Sequence, residues 1–153
     1  MHFLCLRHRQ HLAVRSQEEK LGLWFQWMNE AAMHFELGQY REAVSWCGCS
    51  YELMSDLLAE TRPHGKCAAT KLVLSASYLA QGLTILGEED KARLALGTAF
   101  QRLGMALHDD ALAPWLRECM ATILDGSRRQ LFFGRYLNLP WVDAPRPLTT
   151  RLH

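Results

Sequence analysis

The sequence predicts an all-α fold, and three observations lead to that prediction. Five successive stretches carry apolar residues at the three-to-four-residue spacing of one helix face. Glycines stand where several of these stretches end, and glycine readily adopts the left-handed conformation that closes a helix. Sustained alternation of apolar and polar residues is absent, and no Asn-Gly or Asp-Gly pair joins two β-branched runs. The expected architecture is therefore a set of antiparallel helical hairpins.

The first two helices are expected to form one hairpin. The first runs from about residue 17 to residue 37, where Gly38 ends it. The second runs from about residue 40 to residue 59. Thr, Pro and Gly residues in the stretch 61–65 then break the chain.

The next three helices follow with short connections. The third covers about residues 65–86 and is ended by Gly87. Acidic residues open the fourth, 88–108, where they suit the positive end of the helix dipole. The fifth carries Pro114 in its first turn, where a missing N–H has little effect. We expect it to close at Gly126.

A sixth, shorter helix is expected next, with Ser127 as its cap. After it, residues 138–153 contain three prolines and should be extended. The chain thus divides into a basic, histidine-containing segment (1–16), a helical domain (17–137) and an extended tail (138–153).

Composition narrows the class of function. Seventeen basic and sixteen acidic residues leave a net charge of +1, which gives no field that would attract nucleic acid. No apolar run is long enough to span a bilayer. The five cysteines are an odd number in mostly apolar surroundings, which favours reduced thiols and a cytoplasmic location.

Residues that could carry chemistry do not form a recognisable site. Cys47 and Cys49 are two apart, so on a helix their thiols point to opposite faces. His8 and His11 lack a third ligand nearby. Nucleotide-binding, nucleophile-elbow and zinc-protease motifs are absent. The sequence therefore predicts no catalytic residue, no cofactor and no metal, and we expect a protein that is not an enzyme.

Two glycines stand in matched surroundings. Gly38 lies five residues before Ala43, and Gly87 lies five residues before Ala92. An alanine also lies seven residues before each glycine. Gly126 offers a weaker third copy. Small residues at these places allow two antiparallel helices to approach closely, and the matched spacing indicates an internal repeat.

This pattern resembles the tetratricopeptide-repeat family, whose signature places Trp, Leu-Gly, Tyr, Ala and Phe at set intervals. The first unit supplies Trp27, Ala31, Gly38, Tyr40 and Ala43, with Cys47 at the later aromatic place. The second supplies Leu79, Ala80, Gly87, Ala92, Leu96 and Ala99. The likeness covers most of the chain from about residue 24 to residue 135. The glycines are further apart than the family's repeat of about 34 residues, and the closing prolines are missing.

The resemblance implies five to six helices in up to three degenerate repeats, with a concave groove lined by the first helix of each pair. The implied groove positions are Phe25, Met28, Ala32 and Phe35 in the first unit and Leu74, Ser77, Gln81 and Thr84 in the second. Such a groove suits an apolar peptide or an amphipathic helix of another protein. The expected role is a protein-binding scaffold, adaptor or chaperone.

Several alternatives stay open at this stage. The hairpins could form a generic helical bundle, or they could close and fill the groove with the chain's own C-terminal segment. The apolar groove and tail could instead make a structural or regulatory homo-oligomer. A helical enzyme or small-ligand binder with an internal pocket is a further alternative.

Overall fold

The computed structural model describes residues 2–143, and within that range it contains seven α-helices and no strand. The helices are α1 (Leu6–Ala13), α2 (Gln17–Glu36), α3 (Tyr40–Leu58), α4 (Gly65–Ile85), α5 (Glu89–Met105), α6 (Ala113–Ile123) and α7 (Gly126–Tyr136). A single 3₁₀ turn, Ala106–His108, follows α5. The all-α prediction is confirmed. Residues 144–153 of the predicted tail lie outside the described residues.

The sequence did not predict helix α1. Helix α1 lies inside the segment 1–16, and it is capped by the thiol of Cys5, which accepts a hydrogen bond from the backbone N–H of His8 at 3.5 Å. It buries a single residue, Leu12. Eight residues make little more than two turns, which is too short for a helical period to show in the sequence.

The junction between α6 and α7 also differs from the prediction. Gly126 does not close α6, which ends at Ile123, and is instead the first residue of α7. The cap is Asp125 rather than Ser127. The Asp125 carboxylate accepts hydrogen bonds from the N–H groups of Ser127 and Arg128 at 2.9 and 3.2 Å. One carboxylate oxygen thus satisfies two of the unpaired donors at the helix start.

The glycine stops that the sequence indicated after α2 and α4 are confirmed. Gly38 and Gly87 have φ angles of 72° and 78°, which side chains other than glycine rarely adopt. At each stop the following residue donates its N–H back into the last turn, as Gln39 does to the carbonyl of His34 at 2.8 Å. Both helices therefore end in the left-handed geometry that glycine favours.

Polar contacts at the helix ends show how the helices run. Gln17, at the start of α2, donates to the carbonyl of Arg62 beyond the end of α3 at 2.9 Å. Trp115, early in α6, donates its indole N–H to Thr70, early in α4, at 3.0 Å. From α2 to α6, consecutive helices therefore alternate in direction, and α2, α4 and α6 begin at the same end of the molecule.

Helix α4 is at the centre of this arrangement. It packs against α3, α5, α6 and α7. Most of its side chains are buried, including the large ones of Leu72, Tyr78, Leu79 and Leu83. Because four helices surround it, α4 contributes the largest part of the single core cluster.

The N-terminal segment is held by a buried carboxylate on α3. Glu52 is only 4% exposed, and it accepts hydrogen bonds from the N–H groups of Phe3 and Leu4, the second at 3.2 Å. Arg9 adds a charged hydrogen bond at 3.3 Å. The ring of Phe3 lies over Gly48, where any larger residue would overlap it. Leu4 then enters the core.

Close helix contact at Gly82 predicts a stability cost for a single added methyl group. In Gly82→Ala, the new Cβ would lie 2.7 Å from Val44 Cγ2 and 3.1 Å from the Phe35 ring. We expect a loss of about 1–3 kcal/mol in the free energy of unfolding, because the packed core must shift. Chemical denaturation measures it.

Gly97 is the matched control, since it is also inside a helix but has no atom within 4 Å of an added Cβ. Gly97→Ala should be neutral or stabilising by up to about 1 kcal/mol, because alanine favours the helix. Equal effects of the two substitutions would contradict the close approach of α4 to its neighbours.

Removal of the Glu52 carboxylate should release α1. Glu52→Ala leaves the partly buried N–H of Phe3 and the buried N–H of Leu4 unpaired, at a cost of about 1–3 kcal/mol. The amides of residues 2–13 should then exchange faster with solvent, as hydrogen-exchange mass spectrometry would measure. Asp56→Ala is the control, because Asp56 meets Arg9 at 3.6 Å with half its side chain exposed, and it should change little.

Candidate functional site

Most of the predicted groove positions are inside the protein. Five of the eight are buried: Met28, Ala32, Phe35, Leu74 and Ser77. Their helical spacing, which suggested a groove, is in this structure the spacing of side chains that belong to the core. As the chain is folded here, these five expose almost nothing to a partner, and of them only Leu74 borders the open cleft described below.

The other three positions lie at the surface or close to it. Phe25 is 48% exposed, whereas Gln81 and Thr84 are partly buried. The hydroxyl of Thr84 donates to the carbonyl of Ala80 within its own helix at 2.8 Å. Phe25 and Gln81 therefore remain as side chains able to contact something beyond α2 and α4.

The chain's own residues after α7 contact Gln81. We call Leu137–Val142 the docked segment. The Tyr78 hydroxyl donates to the carbonyl of Pro140 at 2.8 Å, and the Gln81 amide donates to the carbonyl of Val142 at 2.6 Å. The described part of the predicted tail thus lies along α4, which is one of the alternatives that the sequence left open.

Aromatic rings continue from the core to the docked segment. The ring centroids of Phe35 and Tyr78 are 4.7 Å apart, and those of Tyr78 and Phe133 on α7 are 4.6 Å apart. Phe133 then meets Trp141 edge-on at 5.2 Å. Contacts of this kind add to the burial of apolar area and fix the relative position of α2, α4, α7 and the docked segment.

Beside the start of the docked segment, the surface between α2, α4 and the end of α7 is open. A cleft of about 290 Å³ lies there, and we call it the aromatic–lysine cleft. Its lining is Trp24, Phe25, Lys66, Cys67, Thr70, Lys71, Leu74, Tyr136 and Leu137. Its walls are mostly apolar, and among its lining residues Phe25 and Tyr136 are 48% and 41% exposed.

Two lysines place positive charge over the aromatic rings of this region. The ammonium of Lys71 lies 5.1 Å from the Trp24 ring and 5.0 Å from the Phe25 ring. The ammonium of Lys66 lies 4.9 Å from the Trp115 ring. Among residues 2–143 neither ammonium has a carboxylate within 4.0 Å. Both charges are thus stabilised by ring faces rather than by acidic groups.

A wider hollow of about 770 Å³ adjoins the cleft at Lys66. Arg62 and Asp109 form an ion pair in its lining, with 3.2 Å between Nε and Oδ2. The hydrogen bond from Arg62 holds the pKa of Asp109 below its usual value. Because these two charges satisfy each other, the hollow offers a ligand less unpaired charge than the cleft does.

The thiols differ in their surroundings, and one of them lies in the cleft. Burial raises the pKa of Cys47 well above its ordinary value, that of Cys49 to about 11, and that of Cys119 to about 12. Cys5 and Cys67 are exposed, and Cys67 lines the cleft. Within residues 2–143 no three His, Cys, Asp or Glu side chains are grouped to hold a metal ion.

Comparison with other proteins adds no assignment. No protein-family model, no curated protein and no solved structure matches this chain. In the part of the chain that the structure describes, no helix has both the length and the apolarity needed to cross a membrane. The interpretation of the site therefore rests on the chain's own geometry.

Sequence reasoning identified Phe25 but missed Lys66, Lys71 and Tyr136. The lysines come from the helix that also supplies buried groove positions, and nothing in the local pattern distinguishes them from surface charges. Tyr136 comes from α7, far along the chain. The cleft is formed only when α2, α4 and α7 meet, so no local motif marks it.

The thiols give a direct test of the open cleft. At pH 8, Cys5 and Cys67 should react quickly with an aromatic disulfide reagent, and the other three should react only after unfolding. With a pKa of about 11, Cys49 has only about one thiolate per thousand molecules at that pH. Slow reaction at Cys67, judged against Cys67→Ser, would mean that the cleft is closed in solution.

Proposed function

We propose that this protein is a helical peptide-binding module that acts as an adaptor or chaperone through the concave side of α2 and α4. One observation carries the proposal: the aromatic–lysine cleft combines half-exposed rings with two ammonium groups that have no acidic partner among the described residues. A scaffold with nothing to bind would gain stability by covering these rings.

The cleft has the features of a protein-contact site. Aromatic side chains that a partner buries contribute much of the binding energy at such surfaces. Phe25 and Tyr136 offer apolar area at two edges, and Lys71 lies over the Phe25 ring. This arrangement favours a partner segment with an apolar side chain for the cleft and an acidic neighbour for the lysines.

The helical hairpins support kinship with tetratricopeptide repeats as part of this proposal. Gly38 and Gly87 both close a helix at positive φ. The alanines five residues later, Ala43 and Ala92, are both buried at the start of the returning helix. We regard the chain as a divergent relative with longer helices, since α2–α5 have 17 to 21 residues each and short connections join them. Its partner is then another protein, and neither nucleic acid nor a cofactor is needed.

The five thiols support a reducing, cytoplasmic setting for this role. Each of them is unpaired in the structure, and free thiols of this number suit a compartment that keeps cysteines reduced. Cys67 lies in the proposed contact surface, where oxidation would alter the cleft.

The proposal is tested by selecting peptides from a random displayed library on the full chain. We expect a consensus with an apolar residue beside an acidic one, and micromolar binding of the selected peptides. Phe25→Glu should weaken their binding at least about tenfold, because it removes an apolar contact and adds a repelling charge. Fluorescence anisotropy measures the affinities.

Leu94→Glu is the matched control, since Leu94 lies on α5 and is 54% exposed, close to the exposure of Phe25. It should leave binding unchanged while circular dichroism shows that both variants are folded. Failure to enrich any peptide, or equal loss in the two variants, would count against the cleft as the contact surface.

A further inference from the structure

We propose that the groove along α4 that holds the docked segment is a binding site for an extended, proline-containing apolar peptide of a partner protein, which displaces the docked segment. The inference rests on the proposed function and names the class of partner. It follows from how the docked segment is held, since that segment shows what the groove accepts.

The groove recognises the main chain of its occupant. Tyr78 and Gln81 both donate to backbone carbonyls, those of Pro140 and Val142. The two carbonyls are two residues apart, on the same strand-like segment. Such contacts do not depend on the identity of the occupant's side chains. Another extended peptide can therefore accept the same two hydrogen bonds.

The occupant must be extended rather than helical. Leu137 leaves α7 with φ −130° and ψ 141°, and residues 138–143, the last that the structure describes, are in neither helix nor strand. The carbonyls of a helix are engaged in its own ladder, so they would not be available to Tyr78 and Gln81. A proline favours the extended form and has no N–H that would need an acceptor inside the groove.

The groove is matched to apolar and aromatic side chains. Trp141 packs against Phe133 at 5.2 Å, and Leu139 and Val142 also contact the core cluster. Burial keeps Tyr78 in its protonated form, because it raises the pKa of the phenol well above its ordinary value. The hydroxyl is therefore a permanent donor at the base of the groove.

The docked segment is less deeply buried than the helical core. Asn138 and Pro140 are exposed, and Leu139, Trp141 and Val142 are only partly buried. By contrast, Leu137 is buried and fixed to the end of α7 by its hydrogen bond to Phe133 at 2.9 Å. Displacement would thus begin after Leu137 and leave the seven helices in place.

The groove and the aromatic–lysine cleft form one continuous surface. Leu137 lines the cleft and also begins the docked segment. Leu74 in the cleft, Tyr78 and Gln81 follow one another along α4. A partner peptide seated in the cleft would thus be led along α4 into the groove.

The test uses a labelled peptide with the sequence of residues 136–143, YLNLPWVD, and the full chain. In the wild type the tethered segment competes at an effective concentration of about millimolar. Trp141→Asp should undock it, because the ring contact is lost and a charge replaces it. We expect the peptide to bind Trp141→Asp at least about tenfold more tightly than the wild type.

A second pair of variants tests the recognition of the main chain. In the Trp141→Asp background, Tyr78→Phe should weaken peptide binding by about three- to tenfold, because one hydrogen bond is lost. Tyr51→Phe is the matched control: Tyr51 is also buried and donates to a carbonyl, that of Ala95, at 3.1 Å between α3 and α5. It should leave the peptide affinity unchanged.

Three results would overturn the inference. The first is equal binding of the labelled peptide to the wild type and to Trp141→Asp, and the second is no binding of the peptide to either. The third is a dimer of the wild type that Trp141→Asp abolishes, because a second copy of the chain would then be the natural occupant of the groove. None of them decides the proposed function. If the displayed library yields a consensus whose binding depends on Phe25, the cleft stands as a binding site. If YLNLPWVD then fails to bind, the groove alone is rejected.

Discussion

Helix α4 is buried along most of its length, and its polar side chains must therefore find hydrogen-bond partners inside the protein. Ser75 and Ser77 do so within the helix, by donating to carbonyls one turn earlier at 2.7 and 2.6 Å. The donors of Tyr78, which is buried, and of Gln81, which is partly buried, are directed to the docked segment instead. Two carbonyls of that segment satisfy them, so the hydrogen bonding of this face of α4 includes the occupant of the groove.

The burial of α4 also depends on glycines at the places where it meets its neighbours. An added Cβ at Gly82 would lie within 3.1 Å of both Val44 and Phe35, and one at Gly65 would lie 2.8 Å from Leu112. Close approach of this kind brings Phe35 onto Tyr78 and starts the ring contacts that reach Trp141. Packing at the centre of the bundle thus determines the shape of the surface that carries the groove and the aromatic–lysine cleft.

The surface formed by α2, α4 and α7 has two parts with different chemistry. In the groove, side-chain donors meet the main chain of an extended occupant, which favours adaptable binding. In the aromatic–lysine cleft, Phe25 and Lys71 offer a ring face and a positive charge, which favours selection by side chain. In the proposed function, the groove would bind the main chain of a partner peptide and the cleft would select its side chains.

The sequence by itself determined the helices, because apolar period, glycine stops and caps are local properties. It gave the bounds of α2, α3 and α4 to within a residue or two, and it singled out Gly38 and Gly87. It missed α1 and gave the wrong cap for α7, where short elements carry little periodic signal. Only the tertiary structure decided that Met28 and Phe35 are core, that Lys71 lies over Phe25, and that residues after α7 cover the face of α4. Those outcomes depend on contacts between residues far apart in the chain, and an apolar stripe on a helix has the same spacing whether a core, a partner or the chain's own segment covers it.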